Sequence, residues 1–237
     1  MIKNKNLWRR ILIYMTGLVV LALGITLNTK TDLGVSPIIS VPFSISAVAE
    51  KNLSALIFLF YCFCVLLEWM LDRKGFRPAD LLQIPMSFLT SIFIGLFDTY
   101  LPAAPDSLPI RFLLLGTAVA LTGLGASLTV MMRLVPNPAD ALARVVGLKA
   151  GKNFGFGKNL LDLCCAAAAI LIGALFAGSL PGIGAGTVIA VVFTGRAIAV
   201  TDRLFGKKLQ TAAGLETQEG SESSKKSAAD TVAETEC

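Results

Sequence analysis

Two short stretches of this sequence set polar side chains beside a proline between long apolar runs: "DLGVSPIISVPF" (32–43) and "PNPADAL" (136–142). Proline suits the first position of a helix, and Ser36 before Pro37 or Asn137 before Pro138 suits the capping position. Each stretch therefore reads as the start of a short helix, over about 37–50 and 138–149. A helix start offers free N–H groups and the positive end of its dipole, which favour an anion or a carboxylate. Asp140 adds a carboxylate to the second start. Further polar candidates lie on the neighbouring apolar runs. Gly17, Leu21, Gly24 and Asn28 share one face at the helical period, and Ala118, Thr122, Gly125 and Thr129 share another. Small residues there suit close helix packing, whereas Asn28, Thr122 and Thr129 suit a polar cavity. Arg196 sits inside the last apolar run, where it either pairs with an anion or snorkels to the membrane surface. The candidate solute-binding set is thus Asn28, Ser36, Pro37, Thr122, Thr129, Asn137, Pro138, Asp140 and Arg196. Glu68, Asp98, Asp162 and Asp202 fall near the ends of apolar runs and read as solvated or capping residues.

Catalytic chemistry finds little support. The chain has no histidine, which removes Ser-His-Asp triads, Cys-His dyads and His-based metal sites. Four of the five cysteines lie in apolar runs with no CxxC spacing, and read as packing residues. "GASL" (125–128) lacks a base to activate its serine, and "GIGAGT" (182–187) follows no strand, so it is no dinucleotide fingerprint. No enzyme activity, cofactor or metal is expected.

The elements that must position these residues are membrane helices. The chain is 54% hydrophobic and only 16% charged, against about 25% in an average soluble domain. Six runs are long enough to cross a hydrocarbon core of about 30 Å: 8–28, 53–71, 81–101, 111–132, 159–178 and 183–203. Basic residues cluster on alternate sides of them. Arg9 and Arg10, Arg73, Lys74 and Arg77, then Arg133 through Lys158, and Arg203 through Lys208 all fall on one side; "LPAAPDSLP" (101–109) and "SLPG" (179–182), with no basic residue, fall on the other. The positive-inside rule places both termini in the cytoplasm. The basic excess thus serves orientation, and nucleic acid is not an expected partner. Residues 1–210 form the transmembrane domain. Residues 211–237, rich in Ser, Ala and Glu, read as a disordered cytoplasmic tail carrying Cys237, to which no role is assigned.

The chain also resembles itself. At a shift of 101 residues, "LGITLNTKTDLGVSP" (23–37) lies on "LGASLTVMMRLVPNP" (124–138) without gaps. "KNL" (51–53) recurs as "KNL" (158–160), and Ser87 and Gly95 lie near Thr187 and Gly195. Each half (about 8–105 and 106–210) holds three spans, and an odd number turns the second half over relative to the first. The expected fold is therefore all-α: six transmembrane helices in two inverted three-helix repeats, each with a Pro-containing segment after its first helix. That segment either dips into the membrane, where it must be buried or line water, or lies on the surface as an amphipathic helix.

At "LGVSP" (33–37), "PNPADAL" (136–142) and "GIGAGTVIAVVFTG" (182–195) the chain resembles the bacterial YczE/YitT-type membrane proteins, over roughly residues 7–206. The resemblance implies a polytopic protein of the bacterial inner membrane and supplies no substrate. The functional expectation is a transporter or permease for a small solute, with a membrane scaffold, assembly factor or regulator as the alternative. The bilayer is the expected partner. The many small residues permit a homodimer without requiring one.

Orientation is open to direct measurement. A cytoplasm-active reporter fused after Lys208 should give signal, and one inserted within 103–107 should give none. The opposite pattern would remove the assignment.

Overall fold

The computed structural model describes residues 4–215, all of them helical or in connecting loops. Of the expected tail (211–237), residues 216–237 with Cys237 lie outside the described residues, whereas its first residues continue α8 to Ala212 and bury Ala213, so they are ordered rather than tail. Eight helices follow in order: α1 (Asn4–Thr29), α2 (Pro37–Ala49), α3 (Leu53–Leu71), α4 (Gln83–Tyr100, entered through a 3-10 turn at Pro78–Leu82), α5 (Leu108–Met131), α6 (Pro138–Lys149), α7 (Phe154–Ile172, continued by a π-helical turn at Gly173–Ala177) and α8 (Ala185–Ala212). Five of these segments, containing α1, α3, α4, α5 and α7, are long and apolar enough to cross a membrane. That is compatible with a multi-pass membrane protein. The remaining long helix, α8, carries Arg196 and Asp202 within its apolar stretch. Large apolar side chains such as Leu59, Phe63, Phe88, Leu113, Leu163 and Val188 point outward from the bundle. A water-facing surface would not tolerate so continuous an apolar cover, and lipid would.

The two halves repeat the same elements. The short helices start at Pro37 and Pro138, and the helices after them at Leu53 and Phe154, both 101 residues apart. The caps repeat as well: the Asn52 side chain accepts from the Ala55 N–H at 3.1 Å, and Asn153 accepts from Phe156 N–H at 2.9 Å. This corrects one sequence match. The counterpart of "KNL" at 51–53 is "KNF" at 152–154 and not "KNL" at 158–160, which lies a full turn inside α7. For the same reason α7 begins at Phe154, earlier than the span expected from 159. The register of α4 on α8 is one residue shorter: Ser87 and Thr187 are both buried, as are Thr90 and Ala190.

At the centre α1 and α5, repeat counterparts, pack against each other in opposite directions. Arg10 donates to the Met132 carbonyl (2.6 Å) at one end, and Asp32 pairs with Arg111 (3.0 Å) at the other. Between them glycines bring the backbones together. A Cβ on Gly24 would lie 2.5 Å from Thr122 N, and one on Gly125 would lie 2.4 Å from Leu21 N. These two contacts interchange under the 101-residue shift. So do the pairs Gly17–Gly125 and Ala118–Gly24, through backbone carbonyls. The outer packing follows the same exchange: α2 lies on α7 as α3 lies on α6, and α1 on α4 as α5 on α8.

One exchange fails. α3 packs along α4, where a Cβ on Gly95 would meet Ser54 Oγ at 2.8 Å and Ser91 Oγ donates to the Ser54 carbonyl at 2.6 Å. The counterparts α7 and α8 make at most marginal contact, and a Cβ on Gly195 would meet open space. A second asymmetry lies in the loops. The loop after α1 is bonded to the start of α8: Val35 N–H donates to Gly182 O (2.8 Å) and Gly186 N–H to Leu33 O (2.7 Å). Gly34, at φ +106, sits against Gly184 there, where a Cβ on Gly34 would lie 2.6 Å from Gly184 N. The position matching Val35 is Pro136, which has no N–H to give.

Replacing Gly125 by Val should therefore lower the melting temperature of the detergent-solubilised protein, by the equivalent of about 1–3 kcal/mol of overpacking. Gly116→Ala, whose added Cβ would meet nothing within 4 Å, should leave it unchanged.

Candidate functional site

The 3.6-residue period lays Leu21, Ile25 and Asn28 along one stripe of α1, and Thr122, Ala126 and Thr129 along the matching stripe of α5. Both stripes line one cavity of about 320 Å³. Its wall also takes Ser36 and Pro37 from the start of α2 and Asn137 and Asp140 from the start of α6. The lining is nearly self-repeating: Leu21, Ile25, Asn28, Ser36, Ile38, Ile39 and Tyr61 have their counterparts 101 residues on in Thr122, Ala126, Thr129, Asn137, Ala139, Asp140 and Asp162. Seven of the nine residues proposed from sequence thus meet in one place. Pro138 is buried at the head of α6 beside the cavity without lining it. Arg196 is not brought there. Its side chain is exposed, donates to Val192 O one turn back (3.3 Å) and lies over the Phe193 ring.

The two helix starts differ. Asn137 Oδ1 accepts from Ala139 N–H at 3.0 Å, so α6 caps itself. Ser36 makes no side-chain cap bond; its backbone carbonyl instead accepts from the Ile39 and Ser40 N–H groups, both at 3.0 Å.

Charge enters from one half. Lys158 on α7 pairs with Asp140 at 3.2 Å, and Asp162 stands one turn further along α7; all three line the cavity. Their counterparts in the first half are Ile57, Ile39 and Tyr61, so the charges have no mirror. The Tyr61 hydroxyl faces Asn137 and Asp140 from α3. Sequence reading counted Lys158 among the loop charges and Asp162 among solvated ends. The signal that would have placed them is their i, i+4 spacing at the start of a span whose first turn begins at Phe154. On the opposite wall Asn28 is 6% exposed, and its Oδ1 has no hydrogen-bond partner among the described residues. Thr194 and Gly195 complete the wall from α8, at the side where α7 and α8 stand apart.

The other acidic residues do other work. Glu68 is buried, and its carboxylate accepts from Gln83 Nε2 at 2.8 Å, where solvation was expected. Asp98 pairs with Lys30 at 2.7 Å, and Asp202 accepts from the Ser127 hydroxyl. No group of three His, Cys, Asp or Glu residues placed to hold a metal occurs among the described residues.

A family model described as "Family of unknown function (DUF6198)" matches residues 8–203, and the chain belongs to that family. No curated protein and no solved structure matches the chain significantly.

The Lys158–Asp140 pair carries a signature of its own. Lys158→Met should strand two carboxylates in the cavity and destabilise the fold by about 1–3 kcal/mol, less than a fully enclosed pair would, because both groups open onto the cavity. Lys158→Met combined with Asp140→Asn should recover most of that loss, read as melting temperature in detergent.

Proposed function

We propose that this DUF6198 protein is a permease for a small solute, working by alternating access between two inverted halves. The observation that carries the reading is the cavity at the pseudo-two-fold centre, closed on one side and open on the other. Antiparallel packing of the counterparts α1 and α5 supports the inversion. If α8 is counted with the five apolar segments, each half contributes three crossings, and α2 and α6 are the broken segments whose starts meet in the middle. A scaffold would need no polar hollow between its halves. On the charge pattern of the loops, both termini lie in the cytoplasm, and the bacterial cytoplasmic membrane is the place that the resemblance to the YczE/YitT-type proteins implies.

The asymmetry then has a meaning. On the outer side, α3 is zipped to α4 at Ser54, Ser91 and Gly95, and the loop at 33–35 is bonded to the start of α8. On the inner side, α7 and α8 are apart at Gly155 and Gly195. This is an inward-open arrangement. The other state follows from exchanging the conformations of the halves: α7 closes on α8 while α3 leaves α4.

Two cysteine pairs test it, in a chain with the five native cysteines replaced. Ser54→Cys with Gly95→Cys should cross-link readily in the inward-open state. Gly155→Cys with Gly195→Cys should cross-link only when the first pair does not. Locking either pair should stop solute counterflow in vesicles. Simultaneous cross-linking of both pairs in one molecule would overturn the alternation.

A further inference from the structure

We infer that the solute taken by the cavity carries an ammonium group on a short apolar body. Two independent observations point the same way. First, Asp140, Lys158 and Asp162 leave the wall with one formal negative charge in excess, on a lysine already engaged at 3.2 Å by Asp140. Asp162, which shares the field of Lys158 but is not its ion-pair partner, lines the hollow from α7. An excess anion in low-dielectric surroundings is costly unless a cation joins it. Second, Asn28, 94% buried and on the opposite wall of the same cavity, has an Oδ1 acceptor without a donor among the described residues. A buried unpaired acceptor costs roughly 1–3 kcal/mol, which a ligand N–H would remove. An ammonium has three donors to offer the acceptors of this lining, Asp162, Asn28 and Thr194 among them.

The rest of the cavity argues for size and body. Leu21, Ile25, Ile39, Ala126, Val191 and Ile198 give it apolar walls, and about 320 Å³ is far more room than an inorganic cation needs. The helix starts do not turn the preference toward anions: α6 is capped by Asn137 and carries its own Asp140, and at α2, where Pro37 has no N–H, Ile39 N–H already donates to Ser36 O. This refines the simple expectation, from the two Pro-led helix starts, of an anion site.

The inference concerns the same cavity as the permease reading, but its test does not use transport. Three four-carbon probes, n-butylammonium, n-butanol and butyrate, and sodium ion alone are added to the purified protein in nanodiscs. Melting temperature and saturation are read. Butylammonium should raise the melting temperature saturably, and the other three should not at equal concentration. Asp162→Asn and Asn28→Leu should each weaken the apparent affinity about tenfold or more. Asp162→Glu, which keeps the charge, should retain most of it, which separates lost binding from lost folding. Equal or better stabilisation by butyrate, butanol or sodium would overturn the assignment. So would no response to butylammonium in a folded protein, or unchanged affinity in both variants. Selective ammonium binding in a protein whose cysteine pairs do not alternate would keep this site and sink the permease reading. Alternating pairs without ammonium selectivity would do the reverse.

Discussion

Everything in this fold hangs on the close antiparallel contact of α1 with α5. Glycines at 17, 24 and 125 remove the side chains that would hold the backbones apart, and each would place a Cβ within 3.0 Å of the facing helix. Without a hydrophobic drive between helices in lipid, such contact area is what joins them. The consequence is geometric. Once counterpart helices lie against each other head to tail, the remaining helices of each half are carried to opposite ends. The starts of α2 and α6 then converge on the stripe of residues just beyond the glycines.

The same contact explains why the hollow lies where it does. The glycine turns of the stripe pack; the intervening positions Leu21, Ile25 and Asn28, and Thr122, Ala126 and Thr129, look past the seam into space bounded by the short helices. Eleven residues separate Gly17, which lies against Thr129, from Asn28. At 1.5 Å per residue, the two ends of the polar stripe are about 16 Å apart along the bundle. That is about half of a hydrocarbon core. A hollow of this reach, with polar groups at both ends and apolar walls between, suits a molecule that must be held from either side in turn.

Symmetry of backbone with asymmetry of side chains is the second theme. Ile39, Ile57 and Tyr61 answer Asp140, Lys158 and Asp162. The first trio carries no charge and is buried once the Tyr61 hydroxyl has Asn137 beside it, whereas the charged trio needs each other and a wet or liganded space. At the loops a single residue decides: Val35 has an N–H to give to Gly182, and Pro136 at the matching place has none. On the permease reading proposed above, differences of this kind would bias one closed side over the other by modest energies.

How much of this was legible beforehand follows from the range of each interaction. Helix class, the Pro-led short helices and the 101-residue recurrence are written in local composition and spacing. So was the stripe that carries Asn28, Thr122 and Thr129, because helical periodicity is a local rule. The caps at Asn52 and Asn153 also recur in the sequence, although "KNL" at 158–160 lured the match by six residues, since three letters are too few to set a register. Arg196 could not be placed, because an apolar helix hides which of its faces meets protein. Nor could the partnership of Lys158 with Asp140, or the orphaned Asn28 oxygen. Those depend on which helices touch: α7 packs on both α6 and α2. The chain alone determines what each helix is and where it begins. Only the packing decides which polar groups find one another and which are left facing the cavity, because a side chain's cost of burial is set by neighbours that lie far away in sequence.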